Sequence, residues 1–272
     1  MIGPAPAVDS TRGDGPALAR LALGDDDVRV WRADLDRPAR PLAQLARGLS
    51  ADECLRADAL VFPRDRRRFI AARGMLRLLL AAYLDCEPGA VALRVGRNGK
   101  PELGLDSGDP PIRFNYSRSQ GGAVYAVTRG RRVGVDLEAL RPIPEAEQIA
   151  KRWFSARERE ALAAMPPQQR EGAFLRCWTS KEAYAKAVGD GLTRGLERIE
   201  VSLSASEPPA LRAIDGDPVE AAGWSLWLPP STGGYAAALV VEAHGSSPDC
   251  WSLWPRFGHL LLDPSAIDNE KS

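Results

Sequence analysis

Two carboxylates sit two residues apart in an otherwise apolar run, Arg132-Val-Gly-Val-Asp-Leu-Glu138. In a strand, alternate residues share a face, so Val133, Val135 and Leu137 point one way and Asp136 and Glu138 the other. At a rise of ~3.3 Å per residue, their α-carbons lie ~6.6 Å apart, near enough for both to converge on one hard cation. Ordinary alternation, with a half-buried strand and a solvated acidic face, gives the same pattern.

A second set lies in Trp178-Thr-Ser-Lys-Glu-Ala-Tyr-Ala-Lys186. Wound as a helix, this segment gathers Phe174, Trp178, Lys181, Ala185 and Val188 on an apolar face, with Glu182 and Lys186 one turn apart on its shoulder. Lys181 in an apolar stripe needs a partner, because an unpaired buried charge is strongly destabilising. Only five of the 36 basic residues are lysines, yet two of them fall within the six positions from Lys181 to Lys186. A snorkelling lysine beside a surface i,i+4 pair is the plainer reading.

Arginine marks a third segment, Arg64 to Arg77, where six Arg stand against one Asp in a chain of zero net charge. Such a patch attracts phosphate, an acidic partner or RNA, and Arg73 and Arg77, spaced i,i+4, could grip one anion together. Gly99-Lys100-Pro101 in a turn, and Phe114-Asn-Tyr-Ser-Arg-Ser119, place Lys, Arg and Ser beside turn backbone that can bind anions.

Other chemistries are struck off. No GxxxxGK[ST] occurs, the glycines of GDGLTRG are spaced wrongly for a dinucleotide fingerprint, and two histidines leave no HExxH and little room for a Ser-His-Asp triad. Balanced charge (36 Lys+Arg, 36 Asp+Glu) argues against a nucleic-acid coat protein. Four dispersed cysteines make neither a zinc ribbon nor a disulfide framework. The Pro/Ala/Gly-rich N-terminus lacks the layout of a signal peptide, and no apolar run approaches the ~20 residues that span a bilayer. The expectation is a soluble cytoplasmic protein.

Elements must position these residues. Period 3.6 predicts a helix from about Arg64 to Leu84, followed by a turn at Gly96–Pro101 and a strand from about Ala123 to Thr128. Further on, the pattern predicts a strand at Val133–Glu138, a helix from about Ser155 and a stronger one from about Glu171 to Val188. Strands follow near Ile199–Leu203, Trp224–Leu228 and Tyr235–Glu242. Pro142 and Pro144 mark a linker zone. The expected division is a flexible tail at 1–24, subdomains at 25–129 and 130–245, and an extension at 246–272 whose WSLWPRF segment packs back onto the body. Two halves of similar size and αβ content suit a pseudo-duplicated architecture.

The order RRRFxxxR, GKP, FNYSRS, GVDLE, FSxxE (Phe154 to Glu158), WxxKEAxxK and GxGL (Gly189 to Leu192) resembles the Sfp-type 4′-phosphopantetheinyl transferases, over about Arg66 to Leu192. The resemblance implies two similar α+β subdomains forming a pseudo-dimer within one chain. It also implies a monomeric enzyme that moves phosphopantetheine from coenzyme A to a serine of an apo acyl or peptidyl carrier protein. Carriers of fatty-acid, polyketide and nonribosomal-peptide synthesis all fit; neither nucleic acid nor membrane is implied. Adenosine 3′,5′-bisphosphate would be released.

Carried over residue by residue, Asp136, Glu138 and Glu182 would hold Mg²⁺ against the CoA diphosphate. Glu182 would also take the serine proton, and Lys186 would assist the leaving group. Lys100 with Pro101, Ser117, Arg118 and Arg73 would hold the nucleotide end, Arg73 at the 3′-phosphate. Arg118 departs from the family, which usually has His in FNxSHS: the cation is kept and made permanent, but a titratable group is lost. An RNA-binding module would leave the three carboxylates unexplained. A silent carrier-binding module or another Mg²⁺-dependent phosphotransferase are the remaining alternatives.

Overall fold

A computed structural model of the chain describes residues 20–96, 99–104, 110–189, 195–204, 206–229 and 233–243. The WSLWPRF segment and the second glycine of GxGL lie outside these residues.

The first half of the chain runs β1 (Val28–Asp34), α1 (Leu42–Arg47), α2 (Ala51–Asp58), α3 (Pro63–Leu84), β2 (Leu93–Val95), β3 (Pro101–Leu103), β4 (Ile112–Ser119) and β5 (Gly122–Arg129). The second runs β6 (Val133–Ala139), α4 (Ala146–Trp153), α5 (Ala156–Ala164), α6 (Pro167–Val188), β7 (Ile199–Val201), β8 (Leu211–Ile214), α7 (Pro218–Ala222), β9 (Trp224–Trp227) and β10 (Tyr235–Glu242). One topology is used twice. Each half has an antiparallel three-stranded sheet whose central strand is its last, ordered β1-β5-β4 and β6-β10-β9. Each has one 22-residue helix with Pro at its start and a left-handed C-cap, and one two-stranded hairpin, β2-β3 or β7-β8. The fold is therefore α+β, duplicated within one chain.

The layers are helix, sheet, sheet, helix. Ala71, Met75, Leu76 and Leu79 of α3 pack on Ala123, Tyr125 and Val127 of β5. Phe174, Leu175, Ala183 and Tyr184 of α6 pack on Ala236, Ala238 and Val240 of β10. The alternate residues of the central strands, Val124, Ala126, Ala237, Leu239 and Val241, meet between the sheets together with Val28, Val133, Val135 and Leu137. Strands buried on both faces read as unbroken apolar runs, which is how β5 and β10 read.

Several elements differ from the sequence expectation. FNYSRS does not lead into a strand; it is one, β4, paired from Ile112↔Arg129 to Ser119↔Gly122. Chain passage between the halves occurs at Gly130–Arg132, whereas Pro142 and Pro144 lie between β6 and α4 of the second half. Leu21 and Leu23, inside the stretch expected to be flexible, are packed: Leu23 is buried, and Leu21 N–H donates to Ala82 O at 3.0 Å.

Candidate active site between the two halves

Edge strand β4 of one sheet lies beside edge strand β6 of the other, and side chains stitch them. Asn115 Oδ1 accepts from Val135 N–H at 2.8 Å, Ser117 Oγ donates to Asp136 Oδ1 at 2.9 Å, and Ser119 Oγ donates to Glu138 Oε2 at 2.8 Å. Alternation splits the FNYSRS segment into two roles. Asn115, Ser117 and Ser119 face the seam, while Phe114 and Tyr116 face α3.

On β6, Val133, Val135 and Leu137 enter the inter-sheet core, so Asp136 and Glu138 turn toward α6. Gly134 makes the approach possible. A Cβ there would run into the backbone of Ala183 and Ala187 on α6. Strand and helix thus close to the distance at which Lys186 Nζ reaches Asp136 Oδ1, 2.5 Å, and Ser117 Oγ, 3.0 Å. Asp136 is buried, and its Oδ2 accepts no hydrogen bond.

Electrostatics make the carboxylates a coupled set. Burial, with Asp136 nearby, holds the Glu138 carboxyl above its ordinary range against the bond from Ser119. Burial does the same to Glu182, with Asp136 and Glu138 adding repulsion and Lys186 opposing. Among the described residues no three such groups are already drawn into a metal-holding cluster; the Lys186 ammonium sits on Asp136 instead. The donor set nevertheless suits Mg²⁺, a hard cation held by a few carboxylate oxygens with phosphate and water completing its shell. The orphaned Asp136 Oδ2 is an oxygen that such a cation would satisfy.

The basic residues expected at the site from the first half lie in three different settings. Lys100, in the β2–β3 hairpin with Pro101 opening β3, donates from Nζ to the Lys186 carbonyl at 2.5 Å, in the last turn of α6. Burial lowers its ammonium to about 8; Arg113 and Lys186 add to this and Glu102 opposes it. Arg118 is exposed on β4. Arg73 is buried rather than open: Nε and Nη2 are bound by Glu53, and Nη1 lies 3.5 Å from the Tyr116 hydroxyl. Arg73 and Arg77 do grip one anion together, the chain's own Glu53, with Arg77 Nε 2.5 Å from its second oxygen.

Lys181 finds the partner it requires. Fully buried, it bonds Glu158 Oε2 at 2.6 Å and the carbonyls of Leu196 and Trp153 at 2.9 and 3.2 Å. The first half repeats this arrangement. Arg77 holds the same place in α3 as Lys181 in α6, and its Nη1 donates to the Pro88 and Val91 carbonyls. Glu53 and Glu158 each close a capping box with Ser50 and Ser155. Sequence reasoning missed Glu53 and the ion-pair role of Glu158, although Ser-x-x-Glu was a visible signal.

The chain matches proteins of one family. The family model described as the 4'-phosphopantetheinyl transferase superfamily matches residues 132–240. The chain is 42% identical over 236 residues to the 4'-phosphopantetheinyl transferase HetI of Nostoc sp., covering 87% of this chain and 96% of that one. It is 34% identical to the putative 4'-phosphopantetheinyl transferase slr0495 of Synechocystis sp., over 63% of this chain and 68% of the relative. A holo-(acyl-carrier-protein) synthase structure from Bacillus anthracis, in complex with CoA (3',5'-ADP), matches 40% of this chain and 93% of its own at 24% identity and a TM-score of 0.33. No helix among the described residues is long and apolar enough to cross a membrane. With a relative matched along almost its entire length and the family's motifs meeting across one seam, the chain belongs to the 4′-phosphopantetheinyl transferase superfamily and is a transferase.

Proposed function

We propose that this protein, as a cytoplasmic monomer, transfers the 4′-phosphopantetheine of coenzyme A to a serine of an apo carrier protein, with Mg²⁺ as cofactor. The observation that supports it best is the seam itself: Asp136, with one buried oxygen unpartnered, bonds Lys186 and lies beside Glu138 and Glu182, with Lys100 on the last turn of α6.

The carrier serine oxygen forms a bond to the phosphorus that bears pantetheine, and the bond to the bridging diphosphate oxygen breaks, releasing adenosine 3′,5′-bisphosphate. Glu182 accepts the serine proton, directly or through a water. The Lys186 ammonium meets the negative charge that grows on the leaving oxygen. Asp136, Glu138 and Glu182 would hold Mg²⁺, which when bound neutralises diphosphate charge during P–O cleavage. Lys100 and Pro101 shape the wall that receives the diphosphate, Ser117 fixes Asp136, and Arg118 receives the 3′-phosphate. Arg73 contributes at the nucleotide end through Nη1 and Tyr116.

Mass spectrometry of several apo carriers incubated with CoA and Mg²⁺ tests the reading; no phosphopantetheine adduct on any of them overturns it. In the same assay Asp136→Ala is expected to raise the Mg²⁺ requirement roughly ten- to a hundredfold, with partial rescue by excess metal. An unchanged metal titration would make the acidic face of β6 structural only.

Arg118 gives a sharper test of the nucleotide end. A charge-assisted bond contributes roughly 1.5–3 kcal/mol, so Arg118→Ala should weaken CoA about ten- to a hundredfold by calorimetry. The loss should be much smaller with 3′-dephospho-CoA, and Arg118→His should recover part of it below about pH 6.5. Equal losses for both ligands would move Arg118 away from the 3′-phosphate.

A further inference from the structure

Of the three β4 side chains that face the seam, Ser119 lies nearest the end of the strand and meets Glu138. Its hydroxyl is used twice, donating to Glu138 Oε2 at 2.8 Å and accepting from Ala139 N–H at 3.1 Å. One oxygen thereby ties both the side chain and the backbone at the end of β6.

Its own position is held from behind. The β4–β5 connection is two residues, Gln120 and Gly121, with Gln120 at φ 51. Leu35 N–H donates to Gly121 O at 2.7 Å. Asp36, bidentate to Arg68 at 2.7 Å, fills the space that a Cβ on Gly121 would need. A serine at the end of a strand, before so tight and braced a turn, has little freedom in where it places its Oγ.

We infer that Ser119 is a positioning residue of the metal site: across the seam, it fixes the Glu138 carboxylate for a divalent cation. Glu138 is half-buried at the open end of β6. Without Ser119, a side chain of three rotatable bonds would have no fixed rotamer there. Outer partners of metal-binding carboxylates commonly change metal affinity by ten- to a hundredfold. The inference rests on the metal reading of Asp136, Glu138 and Glu182 proposed above.

The test is Mn²⁺ binding to the full chain with CoA present, followed by electron paramagnetic resonance, for wild type, Ser119→Ala, Ser119→Thr and Asp136→Ala, with the Tm of each. Ser119→Ala should weaken Mn²⁺ about tenfold and raise the Mg²⁺ requirement of transfer equally. The rate at saturating metal should stay near wild type. Ser119→Thr, which keeps the hydroxyl, should restore most of the affinity. Wild-type Mn²⁺ affinity in Ser119→Ala overturns the inference, as does a loss matched in Ser119→Thr and explained by a falling Tm. If Asp136→Ala also leaves Mn²⁺ binding unchanged, the metal reading itself fails; if only Asp136→Ala loses metal, the role of Ser119 alone fails.

Discussion

A Glu182→Gln protein is expected to bind CoA within about tenfold of wild type and to transfer phosphopantetheine at least ~10³ times more slowly. Glutamine keeps the shape of the side chain and its packing on α6 while removing the charge. Two losses then combine: a general base is worth typically ~10²–10⁴-fold, and a carboxylate beside the metal adds to that. On the proposed reading CoA binding falls less, because the cations of Lys100, Lys186 and Arg118 are all kept. Single-turnover transfer to an apo carrier, with calorimetric CoA binding on the same sample, separates the two effects. Turnover near that of wild type would remove Glu182 from the mechanism.

The largest stability effect is expected at Lys181. Its ammonium is fully buried on Glu158, so Lys181→Met leaves an anion inside the second half that only the backbone N–H groups of Ser155 and Val201 and the neutral Cys177 thiol still meet. Breaking a buried pair from one side costs about 3–5 kcal/mol, which at this size lowers Tm by roughly 10 °C. Lys181→Met with Glu158→Gln should regain at least half of the loss, since no uncompensated charge remains. Thermal unfolding of the two single variants and the double variant measures this coupling. A Lys181→Met protein within about 1 kcal/mol of wild type would mean the pair is not structural.

The candidate site was largely legible because strand alternation and helix spacing are local rules. Asp136 and Glu138 fall on the face turned away from Val133, Val135 and Leu137, and an oddly placed lysine, Lys181, has the partner its burial demands. Tertiary partners were not legible. Nothing near Arg73 in sequence says that Glu53, twenty residues earlier, occupies most of its guanidinium. Strand β4 was missed because Asn115, Ser117, Arg118 and Ser119 look like turn residues. They sit in a strand because that strand is an edge whose outward side chains bond the neighbouring sheet. Strand β1 escaped notice for a related reason: Arg29, Trp31 and Arg32 interrupt its apolar count, although the strand pairs with β5 along its full length.

The repeated topology also means that the fold offers a second seam, and the sequence has closed it. Where the ladder places Asp136 in one half, it places Trp31 in the other, with its indole N–H on the Tyr83 hydroxyl at 3.0 Å. Where the Lys100 ammonium meets the last turn of α6, the Leu21 N–H meets the equivalent turn of α3 at Ala82. An assembly of identical copies cannot do this, because each residue must serve in every place the symmetry puts it. One chain that carries both copies lets each half specialise, with Lys100 and Arg118 coming from one and the carboxylates from the other. A titration should therefore count a single equivalent of CoA per chain, and a substitution at Trp31 should alter stability while leaving that count unchanged.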